Sequence, residues 1–100
     1  MSPKILIDHE KIAQFCKKWN ITEFALFGSV LSEDFRPDSD IDVMVSFEDN
    51  AGWDLFDWVD MIEELKVVFG RDIDLVEKGT IRNPFRRHSI MMHNEVLYAA

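Results

Sequence analysis

Asp40 and Asp42 stand one residue apart at the head of the run Asp40-Ile41-Asp42-Val43-Met44-Val45-Ser46-Phe47, and ten residues separate them from Gly28-Ser29. The alternation reads as a strand, with Asp40, Asp42, Met44 and Ser46 on one face and Ile41, Val43, Val45 and Phe47 on the other. Side chains at i and i+2 leave such a strand from backbone positions about 6.5–7 Å apart. Two carboxylates held that close repel and shift each other's pKa unless cations neutralise them. Hard oxygen ligands suit Mg²⁺, which takes one or two protein carboxylates and leaves positions for phosphate oxygens and water. Two such ions about 3.5–4 Å apart can clamp the attacking and leaving oxygens of an in-line phosphoryl displacement. A third acid from a neighbouring strand would complete the set, and Asp74 is the candidate, with Asp72 on the same face of its run.

Gly28-Ser29 supplies the complementary chemistry. A glycine at a strand end lets backbone approach a phosphate closely, and a following helix presents free N–H groups to an anion. The Ser29 hydroxyl can donate to a phosphate oxygen or cap that helix. Gly28 as a plain turn residue, Ser29 as a plain cap, and the paired acids as strand-edge charges that deter aggregation are the bland alternatives. Each is reasonable alone, but the combined spacing and Asp74 argue against all three together.

The elements that must position these groups follow from periodicity. Ile12, Phe15, Cys16 and Trp19 fall at helical spacing between Asp8, a suitable N-cap, and Asn20. Glu23 to Phe27 reads as a first strand, and a brief helix from Val30 to Asp34 ends at the Arg36-Pro37 turn. After the loop Asn50-Ala51-Gly52 the longest helix runs from Trp53 to Phe69. Its expected core stripe is Leu55, Trp58, Val59, Ile62, Leu65 and Phe69, and Gly70 ends it. Asp72 to Val76 is a third strand. Pro84 opens a final helix reaching His93, and Val96 to Ala99 adds a short strand or tail. The order implies an α/β (α+β) fold with helices packed on a sheet, as one domain over residues 1–100.

Composition narrows the function further. The net charge is −8, and setting three acids aside for metal still leaves −5. Such a chain has no general attraction for nucleic acid. No apolar run approaches the roughly 20 residues of a membrane span, and the N-terminus does not read as a signal peptide. A single cysteine, Cys16, excludes an internal disulfide and suits a reducing compartment, so a cytoplasmic protein is expected. His88 and His93 do not share a helical face and have no cysteine beside them, which argues against zinc. No P-loop motif is present. Metal-dependent glycosyltransferases also use D-x-D but need a larger domain. Trp53 and Phe56 lie off the expected stripe as an aromatic pair that either anchors a partner or is covered by the first helix or the C-terminal tail. Arg82, Arg86, Arg87 and His88 form one basic cluster, either a solvated helix face or a contact for a triphosphate or an acidic partner.

The spacing G-S-x10-D-x-D, within FALFGSVLSEDFRPDSDIDVMVSF, resembles the signature of the minimal nucleotidyltransferases of the DNA polymerase β superfamily. The later RDIDLVEK is similar to that family's third motif, with Asp74 at the third carboxylate, and the closing VLYA is similar to its C-terminal end. The resemblance implies a mixed sheet flanked by helices, two Mg²⁺ ions on Asp40, Asp42 and Asp74, and ATP as donor. It implies that Asp74 helps deprotonate an acceptor hydroxyl and that Gly28-Ser29 holds the triphosphate. Many small members act as antitoxins beside a helical HEPN ribonuclease, silenced by AMP added to a tyrosine, so transfer of AMP to a partner protein is expected. The alternative is a non-catalytic module that neutralises its partner by occlusion, in either case as part of a homo- or hetero-oligomer. Val30 and Leu31 depart from the arginine and alanine that many relatives carry after the serine.

Overall fold

The computed structural model describes residues 5–33 and 35–100. Helix α1 (His9–Lys18) begins where Asp8 accepts a hydrogen bond from the Lys11 backbone N–H, satisfying one of the free donors of the first turn. It leads into β1 (Ile21–Phe27), which starts two residues earlier than the apolar run alone suggests. A 3-10 turn over Gly28–Leu31 replaces the brief helix expected from Val30, and its expected end at Asp34 lies outside the described residues. Then follow β2 (Ile41–Phe47), α2 (Leu55–Phe69), β3 (Ile73–Glu77), α3 (Pro84–Met92) and β4 (Asn94–Ala99). The four strands form one mixed sheet in the order β3-β2-β1-β4. Only β2 and β3 run parallel, joined through α2, whereas β1 pairs antiparallel with both β2 and β4.

The strands sort their side chains by pleat into two cores. Phe24, Leu26, Ile41, Val43, Val45 and Leu75 pack with α1 and α2 around Ile12, Phe15, Cys16, Met61 and Leu65. The opposite pleat carries Ala25, Phe27 and Met44 into a smaller core under Ile90 of α3. The face that opens with acids is therefore oily further along: Asp42 and Met44 share it, and α3 covers only the Met44 portion. Burial pushes the Cys16 thiol up to about 12, which keeps it a packing group without thiolate chemistry. Among the described residues no helix is long and apolar enough to cross a membrane.

Helix α2 corrects two expectations. It starts at Leu55, not Trp53, because Asp54 and Asp57 close a reciprocal capping box across the first turn. Its inward stripe is Trp58, Met61, Ile62, Leu65, Val68 and Phe69, while Leu55 and Val59 are 73% and 48% exposed. Both stripes have helical spacing, so periodicity could not choose between them. The edge-on contact of Trp58 with Phe47, centroids 6.2 Å apart, accompanies the rotation adopted. The aromatic pair divides: Trp53 packs edge-on against Trp19 and donates from its indole to the Trp19 carbonyl at 2.8 Å, whereas Phe56 is 79% exposed. Gly70 ends the helix in the left-handed conformation, φ 68°, as the sequence requires.

The Trp53→Phe variant keeps an aromatic ring but loses that hydrogen bond and part of the indole packing, so urea denaturation should show a loss of at least about 1 kcal/mol. Phe56→Ser, on the open side of α2, should change stability by less than about 0.5 kcal/mol. Equal losses at both positions would contradict the rotation described for α2.

Candidate active site

The parallel ladder between β2 and β3 brings the acids together. Its register sets Asp42 directly beside Asp74, and Ile41 beside Ile73. Just ahead of both strands, the Ile41 N–H donates to the Asp72 carbonyl at 2.9 Å and fixes that register at its first rung. Asp42 shares its pleat with Met44 and Asp74 shares its pleat with Val76, both in the core beneath α3. The two carboxylates therefore open on the α3 side of the sheet, uncovered because α3 packs further along the strands. Asp40 is exposed immediately before β2 and close enough to act on Asp42 electrostatically. Asp72 takes a different part: its carboxylate faces Lys66 at 3.8 Å.

Asp42 is half-buried, and that desolvation is the largest reason its carboxyl is pushed up to about 6. The Asp74 charge and a side-chain hydrogen bond with Asp74 come next, followed by the Asp40 charge. Arg86, from α3, pulls in the opposite direction. Like charges at one spot share a proton in the absence of a cation, and the Asp42–Asp74 hydrogen bond is that arrangement.

Gly28 closes the site from β1. Phe27 is the antiparallel partner of Asp42, so the next residue turns directly over that carboxylate. Gly28 has φ 75°, and a Cβ there would overlap Oδ2 of Asp42 and lie 3.1 Å from its Cγ. Two independent constraints, handedness and space, thus demand glycine at this position. Ser29 follows in the 3-10 turn, where its carbonyl accepts from the Ser32 N–H at 2.9 Å. All five residues expected from the sequence, Gly28, Ser29, Asp40, Asp42 and Asp74, therefore fall at one end of the sheet.

Two arginines join them that spacing did not single out. Arg71 donates from Nη1 to the carbonyls of Arg36, Pro37 and Ser39 at 2.9–3.3 Å, pinning the loop that delivers Asp40. Its guanidinium also stacks over Phe35, 4.5 Å from the ring centroid. Arg86 belongs to the basic cluster whose role the sequence left open. Asn83 caps α3 by accepting from the backbone N–H groups of Phe85 and Arg86, and no local pattern marks which arginine of the cluster acts on Asp42.

Every donor at this end is a carboxylate oxygen, the ligand type preferred by Mg²⁺. Among the described residues no three acid, histidine or cysteine side chains are already gathered as an ion cage. The raised Asp42 is nonetheless the sign of a site short of positive charge, so the donor set fits a divalent cation. Without a cation, the folded chain keeps the Asp42 proton up to about pH 6, whereas an unfolded aspartate releases it near pH 3.9. Stability from this group is therefore lost as pH rises from about 4 through 6. Thermal melting of Asp42→Asn in metal-free buffer should show a smaller decline over that window and a higher melting point at pH 7 than the parent. Gly28→Ala should destabilise by more than about 1 kcal/mol in the same melts.

This geometry has relatives. The family model described as the nucleotidyltransferase domain matches residues 9–97. A Methanocaldococcus jannaschii relative, provisionally named a protein adenylyltransferase, is 36% identical over 87 residues, covering 87% of this chain and 85% of its own. Among solved structures, a chain from a toxin–antitoxin crystal structure with AMP-PNP aligns with TM-score 0.74 at 20% identity, over 94% of this chain and 75% of its own. A chain from a complex of tri-AMPylated Shewanella oneidensis HEPN toxin with MNT antitoxin aligns with TM-score 0.65 at 19% identity, over 92% and 70%. At those identities the two structures speak for the fold, which is the α+β arrangement expected from the sequence. With the family model spanning most of the chain, this protein belongs to the nucleotidyltransferase domain family and is a nucleotidyltransferase.

Proposed function

We propose that the chain transfers AMP from ATP, with Mg²⁺, to a hydroxyl of a helical HEPN-type partner protein and acts in this way as the antitoxin of a toxin–antitoxin pair. The observation that carries this reading is the meeting of Asp42 with Asp74 under the α-carbon of Gly28, a cluster of carboxylates beside backbone that a phosphate can approach. The related protein named as a protein adenylyltransferase and the AMPylated HEPN toxin held by its MNT antitoxin support the choice of donor and acceptor. The net charge of −8 also suits a protein acceptor better than a nucleic acid.

Asp40, Asp42 and Asp74 are the residues that would hold the metal. When bound, Mg²⁺ would supply charge neutralisation for the triphosphate and for the oxygens entering and leaving phosphorus. Asp74, on the exposed side of the pair, accepts the proton of the acceptor hydroxyl as its oxygen bonds to the α-phosphorus. The bond from that phosphorus to the bridging oxygen breaks, and pyrophosphate leaves with the electron pair. Gly28 and Ser29 hold the phosphates: the glycine by close approach of its backbone, the serine through its hydroxyl. Arg71 keeps the Asp40 loop in register through the three carbonyls it binds.

Co-expression with the HEPN-type partner, followed by mass spectrometry, tests the reading. The partner should gain whole adenylyl groups and lose its ribonuclease activity. Asp42→Asn should abolish the mass gain, lowering the transfer rate by at least about 100-fold, and leave the ribonuclease active. Full neutralisation by Asp42→Asn without adenylylation would mean that the chain works by occlusion.

A further inference from the structure

A cleft of about 330 Å³ lies between the 3-10 turn and α3, lined by Phe27, Gly28, Leu31, Ser32, Ser89, Ile90 and His93. Ser89 and Ile90 belong to α3 and His93 is its C-cap; with Arg86 they stand at positions i, i+3, i+4 and i+7, along one side of the helix and its end. Arg86 opens that side, and His93 closes it as the C-cap, just before Asn94 pairs with Phe27 at the start of β4. Gly28 belongs to both places, since it borders the cleft and its α-carbon rests on the Asp42 carboxylate. The cleft thus continues directly from the carboxylate cluster.

We propose that this cleft seats the nucleoside of the donor nucleotide, with the 86-89-90-93 face of α3 as one wall of the substrate site and His93 and Ser89 as the residues that hold base and ribose. The inference rests on the nucleotide-transfer reading and adds to it where the non-phosphate half of the donor lies. Its floor is apolar, built from Phe27 and Ile90, each 5% exposed, with Leu31 beside them, a surface suited to the face of a base. Its rim carries the Ser89 hydroxyl and the His93 imidazole, which offer both donors and acceptors to a base edge or a sugar hydroxyl. The volume lies at the lower end of the roughly 300–1,000 Å³ range of small-ligand sites. Residues 28–33 and Phe35 include no lysine or arginine, so the chain segment over the phosphates brings no cation of its own. Arg86 stands one helical turn before Ser89 on α3, and Gly28 borders both the cleft and the Asp42 carboxylate, so the phosphates lie toward Asp42 and the nucleoside toward Ser89 and His93.

Isothermal titration of Mg-ATP and of Mg-tripolyphosphate, which lacks a nucleoside, into the full chain separates the two halves of the site. The parent should bind Mg-ATP more tightly. Ser89→Trp, an exposed position whose indole would fill the cleft, should weaken Mg-ATP binding at least tenfold and Mg-tripolyphosphate binding less than twofold, with circular dichroism unchanged. His93→Ala, which fills nothing, should weaken Mg-ATP alone by about fivefold, the size of one lost hydrogen bond. If both variants bind Mg-ATP as the parent does, or lose both ligands equally, the nucleoside does not sit in the cleft. Asp42→Asn serves as the control for the underlying reading: undiminished Mg²⁺-dependent binding there removes the carboxylate site itself, whatever the cleft variants do. A parent that binds neither ligand overturns both.

Discussion

A carboxylate placed beside another carboxylate and beneath a backbone α-carbon is a position that a chain does not adopt for stability. Asp42 is in that position: Asp74 is its ladder partner, Asp40 lies near, and the space where water would solvate it is taken by Gly28. The rest of the fold holds this contact in place. The parallel pairing of β2 with β3 repeats itself over five rungs, four of them beyond the acids or before them, so the unfavourable rung is carried by its neighbours. Glycine at 28 removes the steric conflict, and the hydrogen bond to Asp74 removes part of the electrostatic one. Strain concentrated in one pair, with well-packed cores on both sides, is the pattern expected where chemistry rather than folding selects the residues.

The unequal covering of the sheet gives the site its access. On one face α1 and α2 bury a continuous core running from Ile12 to Leu75. On the other, α3 is short and packs over Ala25, Phe27 and Met44, with Val76 at the margin, leaving the heads of β2 and β3 open. A longer or centred α3 would cover Asp42 and Asp74. As built, the helix leaves them open and adds Arg86 at their edge, so one element both completes the smaller core and lines the active end.

Much of this is legible in the residues before any folding. The G-S-x10-D-x-D spacing picks out four candidate site residues, RDIDLVEK adds Asp74 as a fifth, and the pleat of a strand predicts that Asp42 and Met44 share a face. The helix caps at Asp8 and Gly70 and the start of α3 at Pro84 read correctly because they depend on chemistry within one turn of chain. Less legible is whatever depends on rotation about a helix axis. Helix α2 has two apolar stripes at acceptable spacing, and contact with Phe47 accompanies the one that faces inward. The same limit applies to Trp53 and Phe56, which look alike in sequence and are divided by the position of Trp19.

The amino-acid sequence by itself determined the inventory: which acids exist, their alternation, the glycine at the strand end, and a net charge of −8. Those properties are local or additive, so they survive being read one segment at a time. The tertiary structure decided that Asp74 rather than Asp72 meets Asp42, that Arg71 restrains the Asp40 loop across more than thirty residues, and that Arg86 from its cluster acts on Asp42. Each of these is a pairing between distant segments. Ladder register and helix rotation set such pairings, and both are fixed only when the sheet and its helices close on one another.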